Sequence, residues 1–239
     1  HSLDCFPQKD NPKKRVFERA KQSTCIFCTQ KGSPSLKKPF RLRRHPGKYF
    51  EATWENGLQA SVDEIATFDP VNRAIPVCGS QEWDIIKKIV KLPYFERLGS
   101  VAEQFQGEIN ESTDGRKGCL TKQPGYTPVL RGANLTRYQV REASQGEVWF
   151  ADDVKLLAAR RAGSKVFDFR KARIGFQRSA PQDNYRRIIA APLPENVFCF
   201  DTVSYVTEDS AQISLFALLA LLNSNLFDWW FSASRTNSK

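Results

Sequence analysis

The sequence predicts an α/β (α+β) fold, a mixed β-sheet with packed helices, and three observations predict it. Hydrophobic residues make up 41% and aromatic residues 12% of the 239 residues, enough for a folded chain with a sizeable core. Short apolar or alternating runs bounded by Gly, Pro, Asn and Asp recur along the chain, as strands do. Between them, residues 80–92, 152–162 and a late apolar run ending at Leu226 read as helices.

Residues 5–12 are rich in helix and strand breakers and read as a loop. Residues 23–29 are apolar and β-prone, which predicts a strand buried on both faces. A Gly/Ser/Pro/Lys turn follows at 32–39. Phe40-Arg41-Leu42-Arg43 alternates as a half-exposed strand does, with its arginines on one face. Those arginines either contact phosphate or protect an edge strand from aggregation. Residues 62–76, with a turn at 69–72, form a connector. Ser80 is placed to cap a helix in which Trp83, Ile86, Ile89, Val90 and Leu92 recur at helical spacing, and Pro93 stops it. Lys87, Lys88 and Lys91 lie late in that helix, where its dipole favours them, and form a solvated face.

Residues 98–105 form a short amphipathic piece leading to Gly107. Residues 110–125 read as a polar, glycine-bearing loop studded with Arg116, Lys117 and Lys122, suited to reaching into a groove. Residues 128–130 form a short strand, and Gly132 permits a sharp turn through a positive φ. Arg131 and Arg137 flank that turn and Asn134 sits within it. Two guanidinium groups and an amide at a loop tip are what reading base edges or phosphates requires; an ordinary surface hairpin with solvated arginines has the same composition.

Residues 147–150 form a strand. Residues 152–162 form a helix capped by Asp152 or Asp153, with Arg160 and Arg161 at its end. Residues 172–178 alternate as a strand with Arg173, Gly175 and Gln177 on one face. Gln177 offers an amide fork suited to adenine, and Arg178 a fork suited to guanine or phosphate. Alternatively, one of them supports the fold by hydrogen bonding. Residues 185–191 read as a strand with Arg186 and Arg187 at its start, and residues 197–206 as another. A helix begins at Ser210 or Ser214, runs through Leu226, and is apolar nearly all round, hence buried. Asn223, Ser224 and Asn225 either cap it or place polar groups near a ligand. Trp229, Trp230 and Phe231 belong to the core, and residues 232–239 form a polar tail.

Charge is unevenly spread. The total is +10, but residues 1–50 carry 13 Lys/Arg against 3 Asp/Glu, and residues 131–191 carry 13 against 6. Residues 51–130, with 8 against 12, separate these two basic blocks. Such a distribution points to basic faces folded towards one polyanionic partner.

The six cysteines are irregularly spaced, which argues against a disulfide framework. Cys25 and Cys28 have metal or redox spacing, but in a strand positions i and i+3 point to opposite faces, and the two histidines, His1 and His45, are poorly placed as partners. Buried, inert thiols in a reducing cytoplasm are expected instead. No run reaches the ~18 apolar residues of a membrane span, and no secretory signal is present. The chain lacks Met and begins at His1, as a fragment of a longer protein does.

Four fragments of the sequence, in order, resemble a known family. Residues 126–138, Tyr-Thr-Pro-Val-Leu-Arg-Gly-Ala-Asn-Leu-Thr-Arg-Tyr, are similar to the signature of the TaqI-like specificity domain. Residues 107–110, Gly-Glu-Ile-Asn, resemble its lead-in. Residues 174–178, Ile-Gly-Phe-Gln-Arg, and then 187–191, Arg-Ile-Ile-Ala-Ala, resemble the element that follows. Residues 218–226, Leu-Leu-Ala-Leu-Leu-Asn-Ser-Asn-Leu, resemble its late helix. This is the C-terminal DNA-recognition part of many adenine-N6 DNA methyltransferases and restriction-modification enzymes. Residues 17–27 resemble, more loosely, the last strands of the Rossmann-like methyltransferase domain.

The resemblance implies three segments: the end of a catalytic domain at 1–50, a connector at 51–80 and a target-recognition domain at 81–239. It implies double-stranded DNA as partner, read by Arg131, Asn134, Arg137, Gln177, Arg178, Arg186 and Arg187, with Arg235 and Lys239 of the tail near phosphate. It implies a bacterial or archaeal cytoplasmic protein acting as a monomer beside the catalytic methyltransferase domain of its parent chain. The parent is then an adenine-specific DNA methyltransferase using S-adenosylmethionine, with or without a fused nuclease. This stretch has neither a glycine-rich S-adenosylmethionine loop nor an Asn-Pro-Pro-Tyr motif for the flipped adenine; Asn11-Pro12 is followed by Lys13. No metal set or P-loop spacing stands out. Neither a cofactor nor catalysis is therefore expected in the fragment itself. The competing expectation is a basic module that binds RNA or an acidic protein without enzymatic role.

Overall fold

The structure, a computed structural model, describes residues 1–6, 8–9, 11–32, 35–51, 57–76, 78–141, 148–161, 164–180 and 184–234. It is a mixed α+β protein of small sheets and short helices. The chain divides into two compact units. One comprises His1–Phe95, Pro181–Tyr185 and Trp229–Ser238; the other comprises Glu96–Ala180 and Arg186–Asp228 with Lys239.

In the first unit, β1 (Ser2–Phe6), β2 (Thr24–Cys28), β3 (Phe40–Arg44) and β4 (Leu58–Ala60) form a sheet of order β2-β1-β3-β4. β1 runs antiparallel to β2 and parallel to β3, and β3 antiparallel to β4. Helix α1 (Val62–Phe68) starts with a capping box: Ser61 Oγ accepts from Glu64 N at 3.2 Å, and Glu64 Oε2 accepts from Ser61 N at 2.9 Å. Helix α2 (Ser80–Ile89) is capped one residue earlier than expected, by Gly79 rather than Ser80, with Glu82 accepting from Gly79 N at 2.7 Å. Leu3, Leu42, Leu58, Ile65, Phe68, Trp83 and Ile86 form the core, with Trp229 and Trp230 packed against it. Burial of these side chains drives the unit together.

Two expectations fail here for one reason. β2 is an edge strand, with Ile26 46% and Phe27 71% exposed and Cys25 and Cys28 both exposed. The basic strand β3 is half-exposed as expected, with Arg41 exposed and Leu42 buried, but it lies inside the sheet rather than at an edge. Apolar content reports what a strand tolerates, whereas edge position depends on the partners available to it. Arg43, read as a phosphate contact or a solvated edge charge, donates from Nη2 to Asp4 Oδ2 at 2.8 Å.

Asp4 also meets His45, which is fully buried, at 2.9 Å from Nε2. His45 Nδ1 accepts from Glu51 N, so the ring proton sits on Nε2 and donates to Asp4. Burial alone would raise the Asp4 carboxyl; the bonds from Arg43 and His45 outweigh it and hold the group below its ordinary value of 3.8. Its stabilisation is therefore present above 3.8 and is lost as pH falls through the lower folded value. Asp4→Asn should cost about 2 kcal/mol at pH 6, since it removes charge-assisted bonds. The deficit should shrink by pH 3, as urea unfolding at the two pH values will show.

The second unit opens with α3 (Leu98–Val101), β5 (Phe105–Gln106), α4 (Glu111–Arg116), β6 (Leu120–Thr121) and β7 (Thr127–Leu130). A 3-10 turn, Gly132–Asn134, leads into the small hairpin β8 (Leu135–Thr136) and β9 (Gln139–Val140). Then come β10 (Trp149–Ala151), α5 (Asp153–Ala158), a 3-10 segment Lys165–Arg170, β11 (Arg173–Gln177), β12 (Ala190–Leu193), β13 (Phe198–Cys199) and β14 (Val203–Thr207). Helices α6 (Leu215–Leu222) and α7 (Asn225–Ser234) close the chain. One sheet has the order β13-β7-β10-β6 and the other β12-β11-β14-β5. Each covers its own core, built on Ile109, Val129, Phe198 and Phe200 in one case and on Ile189, Leu193, Val203 and Tyr205 in the other.

The expected loop at 110–125 contains α4. Asn110 caps it, its Oδ1 accepting from Thr113 N at 3.0 Å, and Glu111 and Asp114 lie in its first turn. The expected strand at 197–206 is broken at Asp201 and Thr202, and ladder pairing of the 185–191 run begins only at Ala190. The expected helix through Leu226 is two helices, since Asn223 ends α6. α6 buries Leu218, Leu219 and Leu222 but leaves Phe216 and Leu221 exposed. Asp152 caps α5 as expected, accepting from Lys155 N at 3.0 Å.

Candidate nucleic-acid interface

The segment 131–141 of the second unit is a basic loop held by amide staples. Arg131 and Asn134 close its first turn reciprocally: Arg131 N donates to Asn134 Oδ1 at 2.7 Å and Asn134 N to Arg131 O at 2.9 Å. Asn134 O accepts from Arg141 N at 2.8 Å, drawing the far end of the loop back. Gly132 keeps a negative φ, so it is not the left-handed turn residue expected. Its need is space: a Cβ there would lie 2.9 Å from Thr202 O. Gly132 N donates to Thr202 Oγ1 at 3.1 Å, and Arg178 N donates to Thr202 O at 3.0 Å. Arg131, Asn134, Gln177 and Arg178 are thereby gathered around the Asp201–Thr202 turn.

Gln177 is turned inward. Its Nε2 donates to Gly132 O at 2.9 Å and Leu135 O at 3.2 Å, so the amide holds the loop rather than offering a free fork to adenine. Arg178 is exposed, with one bond from Nη1 to Asp201 O at 3.1 Å. Arg131 lies half-buried with its guanidinium 4.6 Å from the Phe200 ring centroid, and it meets Glu111 Oε1 at 2.6 Å. Arg137 is exposed at the β8–β9 hairpin tip, 5.3 Å from the Tyr138 ring, with Nη2 donating to Asn223 O at 2.8 Å.

Arg186 does not reach the surface. It is 7% exposed and donates to the carbonyls of Ile188, Asn223 and Ser224 and to Asn225 Oδ1. Two of these acceptors, Asn223 O and Ser224 O, lie at the end of α6, where a guanidinium serves as a C-terminal cap. Among the described residues the Arg186 guanidinium is thus turned into the fold rather than held out at the surface, where the DNA contact was expected. Arg187 is half-buried, donating from Nη1 to Ala180 O at 3.0 Å, while its backbone N–H meets Asp228. Arg235 and Lys239 lie outside the described residues.

Three further residues hold this site: Asn223, expected as a cap and found as the C-cap of α6, and Glu108 and Arg173, whose pairing nothing in the sequence signals. Asn223 is fully buried and imitates a strand neighbour for Ala190, accepting from its N–H at 3.2 Å and donating to its carbonyl at 2.9 Å. Glu108 and Arg173, both fully buried, form an ion pair; Glu108 Oε2 also accepts from Cys199 N at 2.8 Å, and Arg173 Nη2 donates to Val197 O. Burial raises the Glu108 carboxyl above its ordinary value, with the Arg173 guanidinium opposing. Only the alternation of strand 172–178 placed Arg173 at all, and alternation cannot tell a buried charge from an exposed one.

Chemically, the loop and the end of β11 offer directional N–H donors at Arg131, Arg137 and Arg178. Among the described residues, no group of three or more His, Cys, Asp or Glu side chains is placed to hold a metal, and no helix is long and apolar enough to cross a membrane. No protein-family profile matches the chain, and no curated protein matches it.

Proposed function

We propose that this chain is the target-recognition part of an adenine-N6 DNA methyltransferase of a restriction-modification system, binding double-stranded DNA through the 131–141 loop. The observation that carries this reading is the pairing of exposed guanidinium groups, Arg137 and Arg178, with a loop whose backbone is fixed by buried donors and acceptors. Sequence-selective contacts need side chains held in place before the ligand arrives, because ordering them on binding costs affinity. The charge of +10 adds attraction to phosphate. Arg131 supplies a third donor, its face already packed on Phe200.

The sheet of the first unit is read as the end of a Rossmann-like catalytic domain. S-adenosylmethionine and the adenine pocket belong to the parent, since neither motif occurs in these residues, and no step of methyl transfer is assigned here. The role of this chain is to bind and orient the duplex.

Binding to a randomised duplex pool at about 150 mM salt, where non-specific phosphate attraction is damped, tests the reading. One short motif should be enriched. Arg178→Ala and Arg137→Ala should each weaken binding to that motif by about tenfold, the scale of one lost guanidinium contact. Salt-sensitive retention of all sequences alike, or preference for RNA, would instead make the chain a basic interaction module.

A further inference from the structure

Cys5 and Cys25 are directly opposed across β1 and β2. Which kind of pair they form follows from the other side of β1. His45 N donates to Cys5 O at 2.9 Å, so Cys5 directs its carbonyl towards β3. In a strand, the N–H and C=O of one residue point to the same side. Cys5 therefore has no ladder bond to β2, and Cys5 and Cys25 form a non-hydrogen-bonded pair. In such pairs the Cα atoms stand about 4.5 Å apart and the side chains are closest. That separation falls in the window a disulfide accepts, about 4.4–6.8 Å.

The two thiols also differ in access. Cys25 lies exposed on the edge strand, open to a soluble oxidant, while Cys5 is half-buried against the core of its unit. Cys28, exposed on the same strand, faces Ser2 and has no cysteine opposite it.

We infer that Cys5 and Cys25 are a dithiol oxidised to a cross-strand disulfide by a low-molecular-weight disulfide such as oxidised glutathione. The Cys25 thiolate attacks that disulfide, forming a mixed disulfide and releasing one glutathione thiol. The Cys5 thiolate then attacks the Cys25 sulfur and expels the second glutathione thiol. The two cysteines lose two electrons and two protons, and the oxidant becomes two thiols. Burial, then the neighbouring Cys25, pushes the Cys5 thiol up to about 11, so the second step is slow and glutathione-capped Cys25 accumulates first. The bond closes the segment carrying Lys13, Lys14, Arg15, Arg19 and Lys21 into a covalent loop and fixes the free edge strand to its neighbour. This holds whether or not the chain binds DNA.

The experiment is oxidation of the whole chain with oxidised glutathione, followed over time by intact mass and by non-reducing peptide mapping. A transient glutathione adduct should give way to a species lacking two hydrogens, with the Cys5 and Cys25 peptides joined. Cys28→Ser should form the bond as the wild type does, and Cys5→Ser should stop at the capped form. A stable adduct on Cys25 with Cys5 still free in the wild type, or linkage of Cys25 to Cys28, would overturn the inference.

Discussion

Gly107→Ala is expected to destabilise the second unit more than any other glycine substitution. Gly107 follows β5, and its N–H donates to Val203 O at 2.9 Å. A Cβ built there would stand 2.0 Å from Phe200 O and 2.8 Å from Cys199 O, both backbone atoms. Neither side can yield. Ile109 N is bonded to Cys199 O, Asp201 N to Ile109 O, and Phe200 N to Leu130 O, so the crossing segments are locked on both flanks. Forcing this backbone apart breaks several ladder bonds around Ile109 and Phe198, at a cost of about 4 kcal/mol or more. Gly132→Ala, at 2.9 Å from Thr202 O, should cost less, and Gly175→Ala less again, because only the movable Leu193 side chain stands in the way. Gly99→Ala, with open space around it, should be neutral or slightly stabilising. Urea midpoints followed by tryptophan fluorescence will rank the four. A Gly107→Ala midpoint near that of the wild type would show that the crossing relaxes more readily than its hydrogen bonds imply.

The same crossing shows what is legible in the sequence. Strand β7, helix α2, the Asp152 cap of α5 and strand β11 each follow from local patterning, because neighbours in the sequence decide them. Edge and centre do not. β2 reads as a doubly buried strand and stands at an edge, while β3 reads as half-exposed and basic, suited to an edge, and sits inside the sheet. Helix α4 hides in a polar run because its stability comes from the Asn110 cap and from Arg160, whose Nη2 meets both oxygens of buried Asp114 at 2.8 and 2.9 Å, from far along the chain.

At the site, residue type is legible and direction is not. Arg137 and Arg178 are exposed and Arg131 is half-buried. Arg186 has the same side chain as Arg187, one position along, yet it is consumed by the carbonyls ending α6. Three of its acceptors stand at the α6–α7 junction, roughly 40 residues later, where local sequence does not reveal them. Gln177 is decided by the Gly132 and Leu135 carbonyls, again supplied by a distant segment.

Arg173→Met should cost the second unit about 4 kcal/mol at neutral pH, because it strands a fully buried carboxylate. Glu108 would keep the Cys199 N–H and its own backbone N–H, and Val197 O would lose its donor. The sign of the pH dependence follows from Glu108. Its folded pKa is raised above the ordinary 4.5 by burial, and removing the opposing guanidinium raises it further. The folded state then holds a proton that the unfolded state releases, so stability falls as pH rises through that interval. The deficit of Arg173→Met should thus be largest at pH 8 and shrink towards pH 4.5. Adding Glu108→Gln removes the stranded charge while keeping an acceptor for Cys199, so the double variant should recover at least half of the loss and show a flatter pH profile. Urea unfolding of the wild type, both single variants and the double variant at pH 8 and pH 5 closes this cycle. Equal deficits for Arg173→Met at both pH values would mean that lost packing against Tyr205, 4.8 Å from the guanidinium, outweighs the charge.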